Sequence, residues 1–432
     1  MIRIFSILLL TLPLCSSTLD GLVGYAMKHS SVAKQSQTQI ELANLKSQES
    51  KVQQYGSFDF VGDVTRYNIS RTLVPLTPTV IGSGKPITTV DSIFSTGIAY
   101  NVPLFTGFSQ TRQIEIEGIA KQMSVAKAKL TKEQLVYNIR SLYLSVLAQK
   151  EMLKAQKSYT KALKKLTKQI AYEVELGKKA KIDLFKAQAN SQASQTQQEI
   201  LSSHIAITKA TLSALVGKRV GKLKSLRIKV KKPRYSVNRL YAKASSLSKV
   251  KIENMALAKA EKQIAKSKAT QLPQVNLSSY VGKNFGEDVA TNEWDDETLW
   301  QVGVNVKWNI LDFGKRDLGV QQAKIAKMEA TFKREQMLLD LRKLITQGIE
   351  QVKQSYAEYL GNATQLRLSK KSETIEKVRY EEDAATLNDL LLAKSMRQLS
   401  QAKLIESRYN YKKSIYYLDY LLERGIKPSS KR

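Results

Sequence analysis

The stretch Trp300-Gln301-Val302-Gly303-Val304-Asn305-Val306-Lys307-Trp308-Asn309-Ile310-Leu311-Asp312-Phe313-Gly314 decides the fold. Trp300, Val302, Val304, Val306, Trp308 and Ile310 alternate with Gln301, Gly303, Asn305, Lys307 and Asn309, the period of a strand with one apolar and one polar face. Past Gly314 the period becomes helical, and Ile345, Ile349, Val352, Tyr356 and Tyr359 fall at steps of 4, 3, 4 and 3. An earlier passage does the same. Phe94, Ile98, Tyr100, Val102 and Leu104 alternate with Ser95, Gly97, Ala99, Asn101 and Pro103 before a long helical stretch. From Gln110 to Glu175 that stretch holds no Pro and a single Gly, Gly118. A helix of about 65 residues at ~1.5 Å rise runs roughly 100 Å. Such a length predicts a coiled-coil or tubular architecture, not a globular one.

The two passages are copies. Residues 97–216 recur without a gap at 303–422, at a constant offset of 206. Ala120 falls on Ala326, Lys121 on Lys327, Leu135 on Leu341, Ile139 on Ile345, Val146 on Val352 and Gln192 on Gln398. Identity is low but register is kept. Each copy is preceded by a helix and a strand: a helix over 19–52 and a strand from Phe58 to Thr65, then a helix over 236–268 and a strand over 274–283. A Pro- and Gly-containing loop, 69–92, leads to the returning strand 93–104. The acidic loop 285–298, with Glu287, Asp288, Glu293, Asp295, Asp296 and Glu297, leads to the strand 299–310. The chain therefore divides into a signal peptide at 1–17, a first repeat at 18–216, a linker at 217–235, a second repeat at 236–424 and a short basic tail at 425–432.

Four amphipathic strands of about 10 residues have the length of tilted membrane strands, and Trp300 and Trp308, with Tyr100, suit aromatic girdles. A soluble sheet with one wet face has the same pattern. Four strands cannot close a spanning barrel, so the membrane reading requires several chains. Arg3 followed by an apolar run over 4–14 and Cys15, Ser16 and Ser17 reads as a secretory signal peptide. Leu12-Pro13-Leu14-Cys15 loosely matches a lipobox, although the large Leu14 before the Cys argues against acylation. Cys15 is the chain's one cysteine, so a mature chain lacking it has neither a disulfide framework nor thiolate metal sites.

Two further stretches turn the helices back. At Gly177-Lys178-Lys179-Ala180-Lys181-Ile182-Asp183-Leu184 a Gly ends one helix and Asp183 sits where it can cap the next. Its partner is Tyr380-Glu381-Glu382-Asp383-Ala384-Ala385-Thr386-Leu387-Asn388-Asp389-Leu390, in which Asp383 replaces the Gly; Asp tolerates the left-handed conformation better than most residues.

With these junctions, turns and the segment Arg408-Tyr409-Asn410-Tyr411 in a constant register, essentially the whole mature chain resembles the outer membrane efflux protein family, the TolC-like channel-tunnels. The resemblance implies a mainly helical homotrimer with a membrane β-barrel part. Each copy would give four strands to a 12-stranded barrel in the outer-membrane lipid, and two long helical hairpins to a periplasmic barrel. It implies a passive exit duct served by a periplasmic adaptor and an inner-membrane pump of RND or ABC type. The cargo would be small molecules first, or a protein in type I secretion; a trimeric structural or adhesion protein is the reading from another class. By position, Asp389 is the candidate for a carboxylate ring at a periplasmic gate, Tyr380 and Asp183 are latch candidates, and Glu381, Glu382 and Asp383 are further sources of negative charge. Ala385 stands where relatives often carry a basic latch residue, and Leu392 at the position of a second ring carboxylate.

The remaining features are less specific. The linker carries nine cations (Lys218, Arg219, Lys222, Lys224, Arg227, Lys229, Lys231, Lys232 and Arg234) and no acid; it reads as solvated, or as a contact for anionic material or an acidic adaptor. Lys161, Lys164, Lys165 and Lys168 read as a solvated helix face. A formal net charge of +31 meets the electrostatic requirement of nucleic-acid binding, but the lysines are dispersed and no base-reading motif is present, so no nucleic-acid partner is expected. His29 and His204 are isolated, and no catalytic triad order, phosphate-binding loop or metal-ligand spacing occurs, so neither an enzyme nor a cofactor is expected.

Overall fold

The computed structural model describes residues 18–84 and 86–426. The expected signal peptide, with Cys15, and residues 427–432 of the tail lie outside them. In chain order the elements are α1 (Leu19–His29), α2 (Ser31–Val52), β1 (Ser57–Thr72), α3 (Pro78–Gly82), β2 (Thr89–Phe105), α4 (Ser109–Glu175), α5 (Lys181–Val216), α6 (Val237–Tyr241), α7 (Ser248–Ala269), β3 (Gln274–Glu287), β4 (Trp294–Lys307), α8 (Lys315–Glu381) and α9 (Leu387–Leu421). The duplication holds at the element boundaries. The helices α4 and α8 are each 67 residues long, and both their starts and their ends are 206 positions apart.

Two compact units result. One holds residues 40–125 and 252–335, the other 18–39, 126–251 and 336–426. In the first, the strands form one antiparallel sheet in the order β1-β2-β3-β4. The strands are 14 to 17 residues long, longer than the alternation alone suggests. Pairing explains the excess, since Thr72 still opposes Thr89, and Glu287 still opposes Trp294. Much of the expected loops 69–92 and 285–298 is therefore strand. At the other end β4 stops at Lys307, short of Ile310; the Trp308 indole N–H instead reaches the Gln271 carbonyl at 3.1 Å. Helices of this unit are joined largely by polar bridges, among them Gln110 Nε2 to the Ser50 carbonyl at 2.6 Å and Lys327 to Glu261 at 3.0 Å.

The second unit buries the apolar stripes of the hairpins. Leu135, Ile139 and Val146 of α4 enclose one core with Leu212 and Val216 of α5 and Leu22 and Ala26 of α1. The copies Leu341, Ile345 and Val352 enclose another with Leu418 of α9. Gly348 lets α8 approach α9 closely, because a Cβ there would lie 3.1 Å from Leu421 Cδ1. Between the hairpins, Tyr409 Oη donates to Glu151 Oε1 at 2.6 Å and Arg408 pairs with the same carboxylate, which gives the Arg408-Tyr409 segment its structural role.

Each repeat opens with a broken helix where a continuous one is expected. In the first, Ser30 is extended and fully buried; its N–H bonds back to the Ala26 carbonyl and its hydroxyl accepts from Ala33 N–H at 3.2 Å, so one residue caps two helices. In the second, the chain is extended at Leu247, and the cap for α7 is remote: Glu423 accepts from the Ser248 N–H at 2.5 Å and its hydroxyl at 2.6 Å, while Lys129 pairs with Glu423 at 2.8 Å. Replacing Glu423 by Ala should cost about 1–3 kcal/mol in denaturant unfolding and speed amide exchange at Ser248 and Lys249, with little change at the N-terminus of α2.

Candidate functional site

Two regions carry candidate residues. The first comprises the turns between α4 and α5 and between α8 and α9. Both are closed by the same pair of backbone bonds: Lys178 N–H to the Glu173 carbonyl at 2.8 Å with Gly177 N–H to Val174 at 3.0 Å, and Ala384 N–H to Arg379 at 2.7 Å with Asp383 N–H to Tyr380 at 3.3 Å. Gly177 has φ +72° and Asp383 φ +52°, so Asp383 takes the left-handed position that its copy gives to glycine.

The turns meet through Lys179. Its ammonium lies 2.7 Å from Asp383 Oδ1 and 5.0 Å from the centroid of the Tyr380 ring. The bond to Asp383 holds the Lys179 ammonium above its ordinary range, and Lys179 holds the Asp383 carboxyl below the usual carboxylate range. The pair is therefore intact across neutral pH. Asp383's contribution is present above its unfolded pKa and is lost as pH falls through the depressed folded value; Lys179's is lost only as pH rises through its raised value. Tyr380 is buried with its hydroxyl unbonded, in a cluster with Leu163, Ile170, Leu387 and Leu390, against which Leu184 packs. Burial raises its pKa.

The other carboxylates of the turns divide by role. Asp389 completes a capping box: its Oδ2 accepts from Thr386 N–H at 3.0 Å and Thr386 Oγ1 at 2.7 Å, while its own N–H bonds to Thr386 Oγ1 at 3.2 Å. These bonds lower its pKa. Asp183 sits in the first turn of α5 without capping it, because the N-cap is Ala180 and makes no side-chain bond. Glu381 pairs with Lys377 at 3.4 Å, and Glu382 and Lys178 are exposed. Arg379 Nη2 donates to the Ala384 carbonyl at 3.2 Å, a cation in this turn that sequence reasoning missed.

The second region is the sheet. Register puts Phe60, Ile98, Val281 and Trp300 in one row of one face, and Phe58, Tyr100, Ser279 and Val302 in the next. This face is apolar and open to the surroundings; Phe60 is 79% and Trp300 72% exposed. Tyr100 stacks on Phe58 at 4.2 Å and donates to the Tyr55 carbonyl at 3.0 Å. Beyond Trp300 the face turns polar with Thr96, Lys283 and Thr298, where Lys283 pairs with Asp296. From Trp300 to Trp308 the chain covers about 26 Å at ~3.3 Å per residue. A further aromatic cluster, Phe94, Phe285 and Trp294, with centroids 5.2 to 6.4 Å apart, lies past the polar row. Only the pairing register brings these rings together, and the alternation of one strand does not contain it.

The opposite face is polar. It carries Asp59, Asp63, Asn101, Asn276, Asn284, Asp295, Glu297 and Gln301, with Lys307 at its base. Leu73 and Thr88, which flank the connection between β1 and β2, meet this face: Asn284 Nδ2 donates to the Leu73 carbonyl at 2.8 Å and Thr88 Oγ1 bonds Asp295.

A family model described as outer membrane efflux protein matches residues 31–218 and 248–422. The chain belongs to the outer membrane efflux protein family. No curated protein matches the sequence. Among solved structures, the fold is similar to the Campylobacter jejuni CmeC outer membrane channel, at 16% identity and a TM-score of 0.78, covering 96% of this chain and 87% of that one. It is also similar to the Vibrio cholerae outer membrane protein VceC, at 15% and 0.75 with 94% and 96% covered, and to the Neisseria gonorrhoeae MtrE outer membrane channel in its open state, at 15% and 0.73 with 96% and 91% covered. As a family member, this chain is a non-enzymatic outer membrane efflux channel.

Asp389→Ala removes both halves of the capping box, so amide exchange at Leu387, Asn388 and the following turn should quicken while the equivalent turn of α5 does not change. Unchanged exchange in α9 would mean that Asp389 has no capping role.

Proposed function

We propose that three copies of this chain join their sheets edge to edge into a 12-stranded barrel and serve as the passive exit duct of a tripartite small-molecule efflux system. The observation that carries this reading is the sheet, with one exposed apolar face, one polar face and unpaired outer edges on β1 and β4. A long unpaired edge is a template for pairing with another chain. In a closed barrel of copies the apolar face meets lipid and the polar face lines water, and an apolar band of about 26 Å suits the ~25 Å band of outer-membrane barrels. Trp300 and Trp308 then border the lipid, with Tyr100 one row from Trp300. The exposed stripe Leu318, Ile325, Met328 and Phe332 of α8, at steps of 7, 3 and 4, offers further surface for a neighbouring copy.

In this reading the turns at Gly177 and Asp383 form the periplasmic end, where a periplasmic adaptor and an inner-membrane pump engage. The Lys179–Asp383 pair ties the two hairpins of one copy together and favours the closed end, with Tyr380 beneath it. Asp389, Asp183, Glu381 and Glu382 supply the negative potential of the entrance.

Purified protein should have a detergent-corrected mass three times that of one chain and give discrete conductance steps in planar bilayers. A monomer without conductance would exclude the duct. Asp59, Asp63, Asp295 and Glu297 against Lys307 on the polar face predict cation preference in reversal potentials, reduced in the double variant Asp59→Asn, Asp63→Asn.

The ion pair predicts the gate's pH response. Conductance should rise as pH falls through the depressed value of Asp383, below the usual carboxylate range, and Lys179→Ala should already be raised at neutral pH and respond less to acid. Equal conductance of wild type and variant would remove Lys179 from the gate.

A further inference from the structure

The segment 217–235 that joins the two repeats is not a loose linker. Val220 and Leu223 are buried in the core around Ile139 and Leu212, Leu226 and Ile228 pack on the same core, and Val230 packs on the core around Ile345. Two tyrosines clamp its backbone. Tyr143 Oη donates to the Lys224 carbonyl at 2.5 Å, and Tyr411 Oη donates to the Lys231 carbonyl at 2.7 Å. Between the clamps Leu226, Ile228 and Val230 turn inward while Arg227, Lys229 and Lys231 turn outward, the alternation of an extended chain. The result is a fixed strap with a comb of cations.

All nine cations of the strap are exposed, and among the described residues none is ion-paired with a carboxylate. Lys218 is satisfied differently, its ammonium 3.9 Å from the centroid of the Tyr25 ring. Such crowding is costly without counter-charge, and Lys222 and Lys209 help to lower the pKa of nearby Lys150, after burial. The strap exposes no apolar anchor before Tyr235 at its end. Folded-protein interfaces depend on apolar and aromatic anchors and are depleted in Lys. A hydrophilic, linear polyanion needs none.

We propose that the strap is an electrostatic rail for a linear carboxylate-bearing polymer of the cell envelope, the peptidoglycan with its peptide-stem carboxylates. Charge complementarity and the absence of an apolar anchor favour it over an acidic protein. The contact goes beyond the duct reading, and its assay does not depend on conductance.

The test is co-sedimentation of the full-length, detergent-purified protein with protease-treated peptidoglycan sacculi. Wild type should sediment at low ionic strength and be released by salt of about 0.5 M, where the screening length falls below ~5 Å. The strap variant Arg227→Glu, Lys229→Glu, Lys231→Glu, Lys232→Glu should bind roughly tenfold or more weakly. Its buried residues are untouched, so its melting temperature and conductance should match wild type. Lys161→Glu, Lys164→Glu, Lys165→Glu, Lys168→Glu changes net charge equally on a helix face and should bind as wild type does. Amidating the sacculus carboxylates should abolish binding, and removing phosphodiester-linked material with acid should not. Several results would each overturn the rail: no wild-type sedimentation, equal loss by both variants, undiminished binding by the strap variant, or sensitivity to phosphate removal alone. Sedimentation with untreated sacculi but not with protease-treated ones, which would point to an acidic protein, would overturn it as well.

Discussion

A sheet of four strands has two edges and two faces, and here neither can be satisfied within one chain. The outer edges of β1 and β4 have no partner, and the face bearing Phe60, Val302 and Trp300 is apolar and uncovered. Polar backbone at an edge and apolar surface in water are both unfavourable, and the proposed barrel of copies would supply partner strands on one axis and hydrocarbon on the other. The other properties of the first unit follow. Its polar face can remain hydrated, and its helices use polar bridges such as Lys327–Glu261. The cores that do exclude water lie in the second unit, around Ile139 and Ile345.

Much of this is legible in the sequence because it is written in periods. Alternation over 300–310 and helical steps after 345 are local and need no partner to be read. The offset of 206 carries those periods from one copy to the other, including the left-handed position that Gly177 and Asp383 share. Breaks in the helices were not legible. Ser30 interrupts the expected helix 19–52 by capping on both sides with no Gly or Pro beside it, and the start of α7 depends on Glu423, which lies 175 residues away. Strand length was underestimated for the same reason, because pairing extends β1 and β4 through residues whose own alternation is poor.

At the turns, sequence identified the residues and structure assigned the bonds. Asp183 and Tyr380 share the region, yet the bond that ties one hairpin to the other runs from Lys179 to Asp383. Nothing local distinguishes Lys179 from Lys178. The difference is that Lys179 alone stands over the Tyr380 ring, which a buried, mainly aliphatic cluster holds in place. Asp383 therefore has two duties, the left-handed turn and the ion pair. A glycine at that position would close the turn and leave the cation without its carboxylate, so the departure from the first copy adds an electrostatic link at the modest cost of a left-handed Asp.

The same division between turn and contact explains where a strongly basic chain can put its charge. Several lysines on the long helices are paired with acids, as Lys333 is with Glu329 and Lys353 with Glu350, so they add little local field. Within 217–235 the apolar residues are pinned at alternate positions, and the cations between them are forced to one side at short spacing. Charge that would be harmless in a flexible linker becomes concentrated when the backbone is clamped at Lys224 and Lys231. The self-repulsion of that row is present in the folded state whether or not a ligand binds, which lowers the net cost of ordering an anionic polymer against it. Clamping the backbone and crowding the cations are thus one arrangement, and the buried side chains of the strap are what give its exposed ones their field.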